Sequence, residues 1–213
     1  MNTYLDKFLL VKDNILSHSK KITIVVVTKS VNYDKIKDII DYGHTHFGEN
    51  RIQDANKKWK EIKNNFLDIK LHFIGKLQSN KVNEAVSIFS YIHSLDSEKL
   101  AVALSQAENN HNKKIKYFIQ INIGREQQKS GISIEDAPDF INFCIKNLNL
   151  DVIGLMCIPP FNQDPVKYFT DLKAISQRYN LKELSMGMSS DYIQAIECGS
   201  TFVRIGSAIF NEN

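Results

Sequence analysis

The chain has 213 residues, 43% of them hydrophobic and 24% charged, an ordinary composition for a globular protein with a large core, enough for one α/β barrel or two small domains. Its 27 lysines and arginines against 24 aspartates and glutamates leave a net charge of only +3. The basic residues are scattered, with no basic stripe carrying interleaved aromatics, so nucleic-acid binding has no compositional support. Met1 to Lys12 lacks the apolar core of a signal peptide, and no stretch approaches membrane-spanning length. Cys144, Cys157 and Cys198 are far apart and never in a Cys-x-x-Cys pair, which suggests neither a disulfide framework nor a zinc site; a reducing cytoplasm is the expected home.

Tyr4, Leu5, Phe8, Leu9, Val11 and Ile15 recur at helical spacing and predict an opening helix over about 3–18. Ile22-Thr23-Ile24-Val25-Val26-Val27-Thr28 is so apolar and β-branched that it reads as a strand buried on both faces. Ile36, Ile39 and Ile40 belong to a helix ending near Gly43. Thr45-His46-Phe47 is a short strand, Asn50 to Asn64 a helix, and Leu71-His72-Phe73-Ile74 a strand ending at Gly75. The pattern continues with a helix over Ser79 to Ser87, a strand over Phe89 to His93, a helix over Ser97 to Asn110, and a strand over Ile115 to Ile123. Ala137 to Asn147 is helical and Val152 to Met156 a strand before Pro159-Pro160. A helix over Val166 to Tyr179, a short strand over Leu181 to Leu184, a helix over Tyr192 to Cys198 and a strand over Thr201 to Arg204 complete the series. Eight strands alternating with helices, without a linker or low-complexity gap, predict a single-domain parallel (β/α)8 barrel spanning 1–213. A doubly wound open sheet is the alternative, since periodicity sets element type but not closure.

In such a barrel, functional groups lie just past the strand ends, and the unusual residues fall there. Lys29 ends the first strand and is followed by Ser30 and an amphipathic segment, so its amine stands at a strand-to-helix junction. A desolvated amine at that position would be held uncharged and ready to attack an aldehyde; a solvated lysine that merely ends a strand is the plainer alternative. Ser189-Ser190-Asp191 and Gly206-Ser207 each open a helix after the last two strands, where backbone N–H groups and hydroxyls can converge on one dianion. Ordinary helix caps are the competing reading. Arg204 ends the last strand and can present an always-protonated donor to an acceptor nitrogen of a planar ring, or pair with Glu197 or Asp191. His44 and His46 have no third metal ligand at sensible spacing and read as satisfied or exposed histidines. His72 reads as a hydrogen-bonded core residue, and Lys57, Lys58 and Lys60 as a solvated helix face whose stems pack on Trp59.

Thr28-Lys29, Phe47-Gly48-Glu49-Asn50, His72-Phe73-Ile74-Gly75 with Leu77-Gln78-Ser79-Asn80-Lys81, Lys129-Ser130-Gly131, Gly154-Leu155-Met156 with Ile158-Pro159-Pro160, Leu184-Ser185-Met186-Gly187-Met188-Ser189 and Val203-Arg204-Ile205-Gly206 together resemble the pyridoxal phosphate homeostasis proteins, single-domain relatives of the alanine racemase N-terminal barrel. The match runs in unchanged order from the first strand to the C-terminus, which makes it specific. The resemblance implies that Lys29 holds pyridoxal 5′-phosphate (PLP) as a Schiff base. It also implies that Ser189, Gly206 and Ser207 bind the phosphate, that Arg204 faces the pyridine nitrogen and that Asn50 lies near the ring. Lys76, Gly124-Arg125 and the short tail Asn211-Glu212-Asn213 depart from the family pattern, away from those contacts.

Two functions compete within this resemblance: a carrier that keeps the reactive aldehyde masked and buffers it or hands it to PLP-dependent apo-enzymes, and a PLP-dependent amino-acid racemase. A guanidinium facing the pyridine nitrogen leaves the ring unprotonated and a weak electron sink. Racemisation needs a second base, which in alanine racemases comes from an extra β-domain of a partner subunit, and this sequence ends just past its barrel. A carrier without appreciable turnover is therefore expected, monomeric and not membrane-bound. A third reading is a barrel enzyme that uses Lys29 as a Schiff base with a sugar phosphate, as class I aldolases do.

Overall fold

A computed structural model describes residues 3–66 and 68–211; Glu212 and Asn213 of the short tail lie outside them. Helix α1 (Tyr4–His18) starts at Thr3, whose hydroxyl accepts from Asp6 N at 3.1 Å while Asp6 accepts from Thr3 N at 2.8 Å. This reciprocal pair satisfies two backbone donors that a helix start otherwise leaves open. Strand and helix then alternate: β1 (Thr23–Val27), α2 (Tyr33–Asp41), β2 (His46–Glu49), α3 (Ile52–Asn65), β3 (Lys70–Phe73), α4 (Val82–Ile88), β4 (Tyr91–Leu95), α5 (Glu98–His111). The second half runs through β5 (Lys116–Gln120), α6 (Ala137–Asn142), β6 (Asp151–Met156), α7 (Pro165–Arg178), β7 (Glu183–Met188), α8 (Tyr192–Glu197), β8 (Phe202–Ile205) and α9 (Ser207–Phe210).

Every neighbouring pair is parallel, and β1 pairs with β8 from Thr23 opposite Phe202 to Val26 opposite Ile205. That pairing closes the sheet and overturns the open doubly wound alternative. Three predicted strands shift most along the chain. The fourth begins at Tyr91, not Phe89, because Phe89 is fully buried at the C-cap of α4. The fifth ends at Gln120, and Ile121 makes only a bridge to Ile132. The seventh is Glu183–Met188, where 181–184 was expected: Ser185 and Gly187 interrupt its apolar run, since β7 turns a polar residue into the barrel.

Apolar side chains between barrel and helices form the main core, with Phe8, Ile36, Phe47, Trp59, Phe73, Phe169 and Val203 among its buried members. Inside the barrel, Val25, Phe118, Met156 and Phe202 make a smaller cluster. Beside it lie His72 and His93, both fully buried, with His93 stacked on Phe118 at 4.4 Å between ring centroids. The interior is thus a packed layer with a polar insert, not a pore.

Candidate functional site

β1 ends at Val27 and the chain turns at once: Val31 N donates to Thr28 O at 3.0 Å, and Ser30 takes a left-handed backbone (φ 59°). This turn carries Lys29 over the C-terminal rim, where it is exposed. The expectation of a desolvated amine is corrected here, because the strand stops two residues before Lys29 and the turn leaves its side chain exposed. Thr28 is fully buried below it; its carbonyl accepts from Lys58 Nζ and its hydroxyl bonds Glu49 Oε1 at 2.6 Å. Glu49 Oε1 also takes Lys58 Nζ at 2.8 Å and Trp59 Nε1 at 2.9 Å. Lys58 is therefore no solvated helix face: it is drawn under the Lys29 turn by a buried carboxylate.

Lys29, Gly206 and Ser207 line one rim cavity of about 340 Å³, together with Val27, Asn32, Lys35 and Phe210. A second cavity of about 410 Å³ is lined by Lys7, Ser189, Ser190, Ser207 and Ala208, so Ser207 belongs to both. Between the last two strand ends, Ser189 Oγ accepts from Gly206 N at 3.3 Å and from Ala208 N at 3.2 Å. One neutral oxygen thus occupies a point on which two main-chain donors converge, at distances long for such bonds and within reach of a stronger acceptor. A Cβ on Gly206 would stand 3.2 Å from Val27 Cβ and 3.3 Å from Val27 O, so the loop's fit against β1 needs the missing side chain. The expected capping of α8 by Ser189-Ser190-Asp191 differs in detail. Asp191 makes no side-chain cap; its carboxylate folds back to Met188 N at 2.6 Å, which leaves the Ser189 hydroxyl to the Gly206 loop.

Arg204 is 4% exposed, and its Nη1 donates to Ser185 O at 2.7 Å and Ser185 Oγ at 2.6 Å, while Nη2 donates to Cys157 O at 3.0 Å. No carboxylate pairs with it among the described residues, so the salt bridge to Glu197 or Asp191 is replaced by three neutral oxygens. Burial pushes the guanidinium below its ordinary value and the Cys157 thiol up to about 12. Asn50 stands apart: it is half-buried beside Lys76, Gln78 and Lys81 in a cavity between the β2 and β3 ends and shares no lining residue with the Lys29 cavity.

Several residues of this region escaped the sequence reading. Lys7 projects from α1 into the second cavity and donates to Asn211 O at 2.8 Å, yet in sequence it is one more polar residue of an amphipathic helix. His93 gave no signal either, because a single His inside a short strand has no pattern, and Ser185, though part of a motif behind the resemblance, carried no sign that it would meet Arg204. His46 and His72 are joined by a 2.9 Å hydrogen bond, and His44 Nε2 meets His46 O at 2.9 Å, so these three are satisfied ring nitrogens, as their spacing suggested.

An exposed lysine after the first strand, a two-donor cradle after the last two and a guanidinium at the end of β8 with no carboxylate partner among the described residues define a single-barrel protein of the alanine racemase type. Residues 11–213 match the family described as alanine racemase, N-terminal domain, and the chain belongs to it and, within it, to the pyridoxal phosphate homeostasis proteins. It is 37% identical to the pyridoxal phosphate homeostasis protein of Aquifex aeolicus over 194 residues, which cover 87% of this chain and 84% of the relative. The Synechocystis protein of the same name is 37% identical over 200 residues, covering 90% and 91%. PipY of Synechococcus elongatus, solved with PLP bound, superposes with a TM-score of 0.88 at 28% identity over 98% of this chain and 100% of its own. Alanine racemase of Corynebacterium glutamicum shares the fold, with a TM-score of 0.73 at 15% identity over 61% of its length.

Proposed function

We propose that this protein binds PLP at the C-terminal rim of its barrel and serves PLP homeostasis as a cytoplasmic, monomeric carrier. The carrying observation is the shared cavity: Lys29 and Ser207 line one space, and Ser207 continues into the space where Ser189, Gly206 and Ala208 converge. An amine and an anion cradle whose cavities share Ser207 and Asn211 suit a ligand with an aldehyde at one end and a phosphate at the other. Lys29 Nζ would hold the aldehyde carbon as an imine, with loss of water, while the Ser189 and Ser207 hydroxyls and the Gly206 and Ala208 N–H groups would donate to phosphate oxygens, which replace Ser189 Oγ as the acceptor of those two N–H groups. Arg204, buried without a carboxylate, suits an acceptor that carries no proton of its own, as a pyridine nitrogen does. Asn50 belongs to this reading only as a residue near the ring.

When bound, PLP supplies an electron-withdrawing ring and a reactive aldehyde. This chain's own residues favour storage over turnover. A donating guanidinium at the ring nitrogen keeps it from gaining a proton, and among the described residues no carboxylate, imidazole, thiol or phenol lines either rim cavity. The bound aldehyde would be masked, then buffered or passed to PLP-dependent apo-enzymes.

The test is direct. Protein mixed with PLP should turn yellow, and borohydride reduction followed by peptide mapping should find the phosphopyridoxyl group on Lys29. An adduct on another lysine, or none, would refute the assignment. An amino-acid racemase rate in the usual enzyme range would refute the carrier role.

A further inference from the structure

A continuous row of polar side chains crosses the barrel interior behind Arg204. Arg204 Nη1 donates to Ser185 Oγ at 2.6 Å, Ser185 Oγ meets His93 Nδ1 at 2.8 Å, His93 Nε2 meets His72 Nδ1 at 2.9 Å, and His72 Nε2 meets His46 Nδ1 at 2.9 Å. Ser185, His72 and His93 are fully buried, and His46, the first residue of β2, is half-buried at the opposite end of the barrel.

The direction of this row follows from its first member. A guanidinium only donates, so Ser185 Oγ accepts from it and has one proton left to give. The acceptor available to that proton is His93 Nδ1. A neutral imidazole with a bare Nδ1 carries its proton on Nε2, so His93 donates to His72, and by the same rule His72 donates to His46. Burial holds both inner rings well below their ordinary value, next helped by the charge of His93 on His72 and of Arg204 on His93, so both are neutral near pH 7. The reverse order would give Ser185 Oγ two incoming donors and leave its own proton without an acceptor in a fully buried site, which native interiors avoid. A mixed order would set two protons or two lone pairs against each other.

We propose that Ser185, His93, His72 and His46 form a one-way hydrogen-bond relay, with every inner ring protonated on Nε2, that takes the place of a counter-ion and positions Arg204 at the ligand's acceptor nitrogen. Every lone pair in the row points toward Arg204 and every proton away from it. The aligned dipoles reinforce one another and present their negative end to a buried cation that has no carboxylate. The Nη1 and Nη2 contacts to Ser185 and Cys157 leave Arg204 Nε–H and a second Nη2–H without a hydrogen-bond partner among the described residues. The residues of the row touch no ligand: they are positioning residues, and what they aim at rests on the PLP reading above.

Two measurements test the relay separately from that reading. In the full chain without PLP, long-range ¹H–¹⁵N correlation on labelled histidines should show His72 and His93 as Nε2–H tautomers; an Nδ1–H tautomer at either residue overturns the proposal whether or not PLP binds. With PLP, Ser185→Ala should weaken binding about tenfold and shift the absorption of the bound cofactor, and Ser185→Thr, which restores the hydroxyl, should recover the wild-type spectrum. A merely structural role would change the melting temperature and leave the spectrum alone. If Ser185→Ala leaves both spectrum and affinity unchanged, or Thr behaves like Ala, the positioning role is refuted. A wild-type protein that takes up no PLP would refute the proposed function instead, and the tautomers would still decide the relay.

Discussion

Lys29 stands on a turn whose underside is a buried ion pair, and the two can be separated by substitution. Lys29→Ala removes an exposed amine and no packing, so the melting temperature should stay within about 2 °C while the yellow absorption at bound PLP disappears. Retained covalent colour in this variant would move the linkage to another lysine. Lys58→Met should behave oppositely. It leaves the fully buried Glu49 carboxylate without its cation and Thr28 O without a side-chain donor, a loss of about 3–5 kcal/mol on denaturant unfolding. Because Thr28 is covalently next to Lys29, the same variant should also lose PLP affinity. Normal stability in Lys58→Met would show that water replaces the ammonium and that the pair is not a structural tie. Lys29 was legible in sequence because it follows the most apolar run in the chain, whereas Lys58 was not, since nothing in Lys57-Lys58-Trp59-Lys60 tells which lysine a buried carboxylate will draw inward.

At the scale of the elements, strand spacing is set in places by the absence of a side chain. A Cβ on Gly154 of β6 would lie 1.9 Å from Glu183 O of β7, and the pairing of Gly154 with Glu183 is the first contact between those strands. Gly154→Ala must push β7 away, and an overpacked core costs about 1–3 kcal/mol and occasionally more. The expected loss is at the upper end, read as a fall in the unfolding midpoint, because the obstacle is backbone and cannot rotate aside. Since β7 leads directly to Ser189, PLP affinity should fall with it; an unchanged midpoint would mean that the sheet shifts freely. The order and type of the strands were readable from apolar runs. Their ends were not where the inward face is polar: β7 holds Ser185 and Gly187, so its apolar signal breaks in the middle, and Phe89 is as apolar as a strand residue although it closes a helix. Lys29, Gly206 and Ser207, singled out by their place after strand ends, line one cavity; Arg204, singled out in the same way, is buried and lines neither rim cavity, and Asn50, implied by the resemblance alone, lines another, since strand order places residues around the rim without showing which loops share a space.

The whole molecule carries a pH signature because four of its six histidines are wholly or partly buried and held neutral. Burial lowers His44 and His46 to about 4, and His72 and His93 lie well below the ordinary histidine value. In the unfolded chain all four take up a proton near pH 6.5. Below that pH the unfolded state binds more protons than the folded one, so stability falls as pH falls. Each fully buried ring contributes about 1.4 kcal/mol per pH unit to that slope. Above about pH 7 the rings are neutral in both states and the term vanishes. Asp96, whose carboxyl burial raises, acts in the opposite sense, as one group against four. Urea unfolding at pH 7.5, 6.5, 5.5 and 4.5 should therefore give a modest fall in midpoint over the first step, where the unfolded rings become half-protonated, and a steeper fall over the next two. His72→Phe, which keeps an aromatic ring against Tyr91 and has no proton to gain, should be less stable at pH 7.5 but shallower in slope by about one proton. A flat profile between pH 6.5 and 4.5 would mean that water reaches the barrel interior and that the histidine row charges freely, which is incompatible with its serving as a neutral, ordered support for Arg204.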